Sequence, residues 1–139
     1  MIQYFYEDCQ PCDTIEEKEL LKTTQLIDNE GFSVGELSVV FCSDPYLLTI
    51  NKRHLNHDYY TDIITFSYGN GLVISGDLFI SVDRVGENAN KEGVSIQNEL
   101  ARVLIHGLLH LCGYNDKTHE EIRVMRLKEK EYLSMIGFT

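Results

Sequence analysis

Residues 62–81 read DIITFSYGNGLVISGDLFIS. Two apolar, β-branched runs, Asp62 to Tyr68 and Leu72 to Ser81, flank the Gly-Asn-Gly of residues 69–71, a composition that supplies the positive backbone angles of a tight turn. The pattern predicts an antiparallel hairpin. Just upstream, Leu37 to Cys42 (LSVVFC) reads as a third strand. Ser43 or Asp44 then caps a helix that has Pro45 at its first position and carries Leu47, Leu48 and Asn51. At the start of the chain, residues 2–7 (IQYFYE) read as a strand and Asp8 to Asp13 as a turn. Thr14 with Glu17 has capping-box spacing, and a helix through Ile15, Leu20, Leu21, Leu26 and Ile27 is stopped by Gly31.

Downstream of the hairpin, Val82 to Asn90 reads as a short helix. Ile96 to Cys112 and His119 to Met135 read as longer ones, separated by Gly113 and a polar turn. Strands followed by helices, with one hairpin, predict an α+β fold: a small mixed four-stranded sheet with packed helices. There is no internal repeat, low-complexity tract or linker, and 139 residues with 43% hydrophobic content suit one core, so residues 1–139 are expected to form a single domain.

No stretch approaches the run of about 18 apolar residues that a membrane span needs, and MIQYFYEDCQ lacks a signal-peptide pattern. No membrane association and a cytoplasmic location are expected. Cys9, Cys12, Cys42 and Cys112 are too few and too irregular for a disulfide scaffold and are expected to stay reduced. A net charge of −10 repels nucleic acid at long range, so any contact with phosphate requires a local basic cleft, or positive charge supplied by a partner or a metal ion.

The segment from Leu100 to Asp116, LARVLIHGLLHLCGYND, would be an ordinary buried helix but for His106 and His110. Residues at i and i+4 share one helical face, so both rings can address one ion with nitrogens about 2.0 to 2.1 Å away. Zinc usually takes at least three side-chain ligands, and Gly113 suits a left-handed helix end that turns the chain back toward the histidines. Asp116 and His119 both offer donor atoms, and the turn geometry decides between them. A metalloprotease helix carries glutamate directly after its first histidine as general base; Gly107 stands there instead, which argues against peptide hydrolysis.

Residues 106–114, HGLLHLCGY, resemble the H-G-x-L-H-L-x-G-Y signature of the YbeY family of metal-dependent endoribonucleases. Asn51 with Asp58 to Phe66 (DYYTDIITF) is similar to that family's N...D-x-P-T-D-V-L-S-F stretch, and Gly76 to Ser81 (GDLFIS) to its G-D-I-x-I-S strand. The resemblance spans nearly the whole chain. It implies a single-strand endoribonuclease acting in maturation of small-subunit (16S) ribosomal RNA and in ribosome quality control. A precursor RNA would be the substrate, with the ribosomal subunit or its proteins as partners. The family's third metal ligand, a histidine ten residues after the first, falls on Asp116. The implied ligand set is therefore His106, His110 and Asp116, with His119 in reserve. Zinc accepts a carboxylate oxygen at about 2.0 to 2.2 Å, while two histidines and a carboxylate also suit non-haem iron.

The family's arginine ahead of the D-x-P-T-D block falls on Leu55, so a phosphate-binding cation must come from elsewhere; Lys52, Arg53 and Arg84 are candidates. Asp58, Thr61 and Asp62 are expected to line a substrate groove or to orient a metal ligand. His54, His57, Tyr59 and Tyr60 suit either a base-stacking surface or a solvated loop. Cys9 and Cys12 make only half of a zinc-ribbon pattern, Cys112 reads as a core residue, and the charged run of the last helix reads as a solvated face. Two other functions share these residues. One is a peptide hydrolase, on the metzincin-like spacing H-x3-H-x2-G-x2-D; the other is a ribosome assembly factor with a structural zinc.

Overall fold

The computed structural model describes residues 1–10 and 17–138, the side chains of 17–19 excepted. Among them are four strands, β1 (Ile2–Glu7), β2 (Ser33–Cys42), β3 (Ile63–Ser67) and β4 (Val73–Ser81), and five helices, α1 (Glu17–Asn29), α2 (Asp44–Leu55), α3 (Val82–Glu92), α4 (Ile96–Leu111) and α5 (His119–Met135). The predicted α+β class and mixed sheet are found, and the hairpin pairs antiparallel with Ile63 opposite Ile80. The sheet order is β1-β2-β4-β3, with β1 and β4 both parallel to β2. β3 is therefore an edge strand.

β2 begins four residues before the predicted Leu37. The pairing register with β4 shifts between Val34 and Leu37, so Gly35 and Glu36 interrupt the apolar alternation that marks a strand. Ser43, not Asp44, is the cap of α2, its side chain accepting from the amide of Tyr46. The capping box read at Thr14 lies outside the described residues.

Side chains alternate along β4. Ile74, Leu78 and Ile80 are buried in the main core with α1, α3, α4 and α5, whereas Phe79 packs on the opposite face near α2 with Cys42, Leu47 and Ile64. At the centre lies α4, whose Leu100, Ala101, Val103, Leu104, Ile105, Leu108 and Leu109 are all essentially inaccessible. A helix so apolar is stable only when surrounded, and α4 contacts β3, β4, α1, α3 and α5. Gly107 permits a close approach to the sheet: a Cβ there would stand 2.7 Å from Ile63 Cδ1 and 3.1 Å from Leu78 Cδ2.

α5 departs from expectation. Its charged run is not only a solvated face: Glu129 is 2% exposed, while Ile122 and Leu127 are 40% and 55% exposed. Glu129 turns inward because polar side chains of α4 meet it there.

Candidate metal centre

Within the apolar stretch of α4, the polar residues Glu99, Arg102, His106 and His110 follow at steps of three, four and four, which places them on one stripe of the helix. That stripe faces α5 and the start of β3. The rings of His106 and His110 meet edge to face with centroids 4.5 Å apart, and their Nε2 atoms lie 3.0 Å from each other. Asp116 Oδ2 is 3.3 Å from both Nε2 atoms.

The loop between α4 and α5 is what delivers Asp116. Gly113 adopts φ +98°, a conformation that costs a side-chain-bearing residue energy, and the amide of Tyr114 bonds back to the carbonyl of Leu109 at 3.0 Å. Tyr114 Oη then donates to Glu30 at 2.5 Å, fastening the loop to the chain just beyond α1. Tyr132 and Lys128 of α5 bond the same carboxylate. At the far end of the loop Thr118 and Glu121 form a reciprocal capping box that fixes where α5 starts.

Glu129 orients His106. Its Oε2 lies 2.6 Å from His106 Nδ1, and its Oε1 accepts from Arg102 Nη1 at 3.1 Å and Arg126 Nη1 at 2.8 Å. Burial pushes the Glu129 carboxyl up, but the hydrogen bond to His106 and the charges of Arg102 and Arg126 outweigh it and hold the group below the usual carboxylate range. An ionised Glu129 only accepts, so Nδ1 of His106 carries a proton, and in the neutral ring that a metal requires the lone pair is on Nε2, the atom facing His110 and Asp116. This network is why a carboxylate in a charge-rich helix is buried. Arg102 is itself clamped by Glu99 through Nε and Nη2, both at 2.8 Å, which raises its pKa further against the opposing effect of burial.

The donor set fits a divalent ion. Three ligand atoms about 2.0 to 2.1 Å from a tetrahedral ion stand about 3.3 Å apart, and the observed separations are 3.0, 3.3 and 3.3 Å. A proton joins only two of these atoms; a metal ion satisfies all three. Around the site, the carboxylates of Asp62, Glu99 and Glu129 pair with the guanidiniums of Arg102 and Arg126 while that of Asp116 meets the two histidines, and the two excess negative charges of this group match one divalent cation. Among the described residues, His106, His110 and Asp116 are the group of donors close enough to share an ion. His119 lies exposed at the first position of α5 and is outside that group.

The remaining candidates are dispersed. Asp62 is half-buried, its carboxylate 3.7 Å from Arg102 Nη2, and it helps line a cavity of about 220 Å³ with Arg102, His106, Asp116 and Arg126. Thr61 is half-buried beside it, while Asp58 is exposed and pairs with Lys52 at 3.2 Å. Asn51, buried in α2, donates to the carbonyl of Tyr59 at 2.9 Å and thereby ties down this segment. Tyr59 is exposed against His57, Tyr60 is exposed with Arg84 over its ring, and His54 meets Phe66 edge to face.

The cations considered in place of the family arginine are elsewhere. Leu55, Lys52, Arg53 and Arg84 do not line the cavity around His106, and Arg84 is held by Asp44 and Glu87. The cations that do line it, Arg102 and Arg126, escape the sequence reading, as does Glu129. The stripe spacing of Glu99, Arg102, His106 and His110 could have revealed Arg102; nothing local marks Glu129 or Arg126. Burial pushes the thiol of Cys112 up to about 11, consistent with a core residue rather than a thiolate ligand. Cys9 donates to the carbonyl of Phe41 at 3.3 Å, and Cys12 lies outside the described residues.

Known proteins are similar to this chain in sequence and in fold. The family model described as Endoribonuclease YbeY matches residues 10–137. The chain is similar to Endoribonuclease YbeY of Bacteroides thetaiotaomicron, with 48% identity over 82% of this chain and 86% of the relative. It is similar also to the protein of that name from Cytophaga hutchinsonii, with 46% identity over 99% and 96%. Among solved structures, the solution structure of TM1509 from Thermotoga maritima superimposes with a TM-score of 0.70 over 98% of this chain and 89% of that one, at 24% identity, a likeness of fold.

Proposed function

This chain belongs to the YbeY family of endoribonucleases, and from that premise we propose that it is a zinc-dependent endoribonuclease that cleaves single-stranded RNA during maturation of small-subunit ribosomal RNA. The observation that carries the reading is the convergence of His106 Nε2, His110 Nε2 and Asp116 Oδ2 beside a cavity walled by two guanidiniums. His106, His110 and Asp116 hold the ion. When bound, a divalent ion supplies a Lewis acid that polarises a phosphodiester oxygen or activates water.

The protein's own residues set the stage for that chemistry. Glu129 holds the Nδ1 proton of His106 and so leaves Nε2 as the ring atom available to an ion at the cluster. The capped loop between α4 and α5 fixes Asp116, and Asp62 and Arg102 close the cavity on the β3 side. Local cations, rather than the acidic molecule as a whole, attract the phosphate. A hydrolase of the H-E-x-x-H kind is disfavoured by space, since a glutamate side chain at position 107 would run into Ile63 and Leu78. Residues 1–139 are proposed to act as one domain, in the cytoplasm, on RNA of the ribosomal subunit. No described helix is long and apolar enough to cross a membrane.

The test is cleavage of a small-subunit ribosomal RNA precursor by the purified protein, with zinc, with chelator, and as His110→Ala. Cleavage that needs zinc and is lost in the variant is expected; equal cleavage in all three conditions would exclude this role.

A further inference from the structure

We propose that one face of α5, through Arg126 and Lys130, is a track for RNA phosphates leading into the metal centre, with Arg126 holding the phosphate at that centre. The inference rests on the endoribonuclease reading above. Two cavities meet beside the metal centre: the one of about 220 Å³ around His106 and Asp116, and a larger one of about 720 Å³ between α3, α4 and α5. Arg126 lines both, together with Asp62 and Arg102.

The two arginines differ in what they have left to give. Arg102 spends Nε, Nη1 and Nη2 on Glu99 and Glu129. Arg126 bonds Glu129 through Nη1 alone, its side chain is 60% exposed, and its other donors have no partner among the described residues. A guanidinium anchored at one nitrogen keeps a planar pair of N–H donors in a fixed place, which suits a phosphate oxygen better than a freely moving ammonium does. Lys130 is exposed four residues on, on the same face of α5, and it borders the larger cavity without a described acidic partner. A single strand entering through the larger cavity therefore meets Lys130 and then Arg126 before it reaches His106 and Asp116. This supplies the cation for which Leu55 has no substitute in α2.

The zinc-loaded protein is titrated with a 2′-O-methyl single-stranded RNA oligonucleotide, confirmed intact on a gel, over a range of salt concentrations. For a single strand, removing one cation from a phosphate lowers the slope of log affinity against log salt by about 0.7. Arg126→Gln and Lys130→Gln are each expected to lower it by that amount, with one zinc retained per chain. With a cleavable RNA, Arg126→Gln lowers kcat, whereas Lys130→Gln raises KM alone. Arg123→Gln, an exposed arginine paired with Glu120 one turn away, leaves the slope unchanged. An unchanged slope in zinc-loaded Arg126→Gln overturns the inference while leaving zinc-dependent cleavage by the parent protein intact. Should Arg126→Gln lose zinc, Arg126→Lys decides: zinc and the full slope retained support the track, and any other result overturns it. A parent protein that neither binds nor cleaves RNA overturns the functional reading and this inference together.

Discussion

Replacing Glu129 by glutamine changes one oxygen to an amide nitrogen in a site that has three donors and no acceptor facing it. In one orientation the new NH2 opposes His106 Nδ1, which must give up its proton; the ring then carries it on Nε2, in the 3.0 Å space shared with His110 where an ion would bind. In the other orientation the NH2 opposes Arg102 Nη1 and Arg126 Nη1, and two guanidiniums lose their shared anion. Either way the metal competes with a proton or with a displaced ring. Loss of such a supporting hydrogen bond typically lowers metal affinity about 10- to 100-fold, or about 1.4 to 2.8 kcal/mol. Competition against a chromophoric chelator at neutral pH measures it directly, with circular dichroism confirming that the helices persist. Affinity within twofold of the parent protein would refute the assignment of Glu129 as the residue that sets the His106 tautomer.

Other perturbations separate the site from its scaffold. Asp116→Ala should weaken zinc binding more than Glu129→Gln does, and Asp116→His, which restores a nitrogen donor, should recover most of it in the same chelator competition. Gly107→Ala places a methyl 2.7 Å from Ile63 Cδ1 and should cost about 1 to 3 kcal/mol, read as a lower urea midpoint at unchanged slope. Thr118→Ala removes the cap of α5 and should cost about 0.5 to 2 kcal/mol in the same assay. Burial pushes the Glu30 carboxyl up, but hydrogen bonds from Tyr114 and Tyr132 and the charge of Lys128 bring it below the ordinary carboxylate range. Because the folded pKa is the lower one, this stabilisation is complete above the unfolded carboxylate value and fades as pH falls through the folded value. The melting-temperature penalty of Glu30→Gln should therefore be largest near neutral pH and shrink in acid; a penalty independent of pH would contradict the role given to this carboxylate.

The hairpin was legible because Gly-Asn-Gly at residues 69–71 is a local signal, and Ile96 to Cys112 because its apolar content is dense. Which strands lie side by side was not, since the parallel pairing of β1 and β4 with β2 depends on contacts more than thirty residues apart. The site divides in the same way. His106 and His110 announce themselves by spacing within one helix, whereas the choice between Asp116 and His119 waits on the turn at Gly113 and the fastening of Tyr114 to Glu30. Glu129 was illegible for a sharper reason. It stands in a run of lysines and glutamates, and only the approach of Arg102, His106 and Arg126 distinguishes it from its solvated neighbours.

X-ray absorption at the zinc edge of the loaded protein addresses the metal centre itself. Two imidazole nitrogens at about 2.0 to 2.1 Å with the remaining coordination from oxygen at about 2.0 to 2.2 Å is the expected spectrum, and Asp116→Ala should change the oxygen contribution. Sulfur near 2.3 Å, or scattering from three imidazoles, would contradict the assignment of His106, His110 and Asp116 as the ligands.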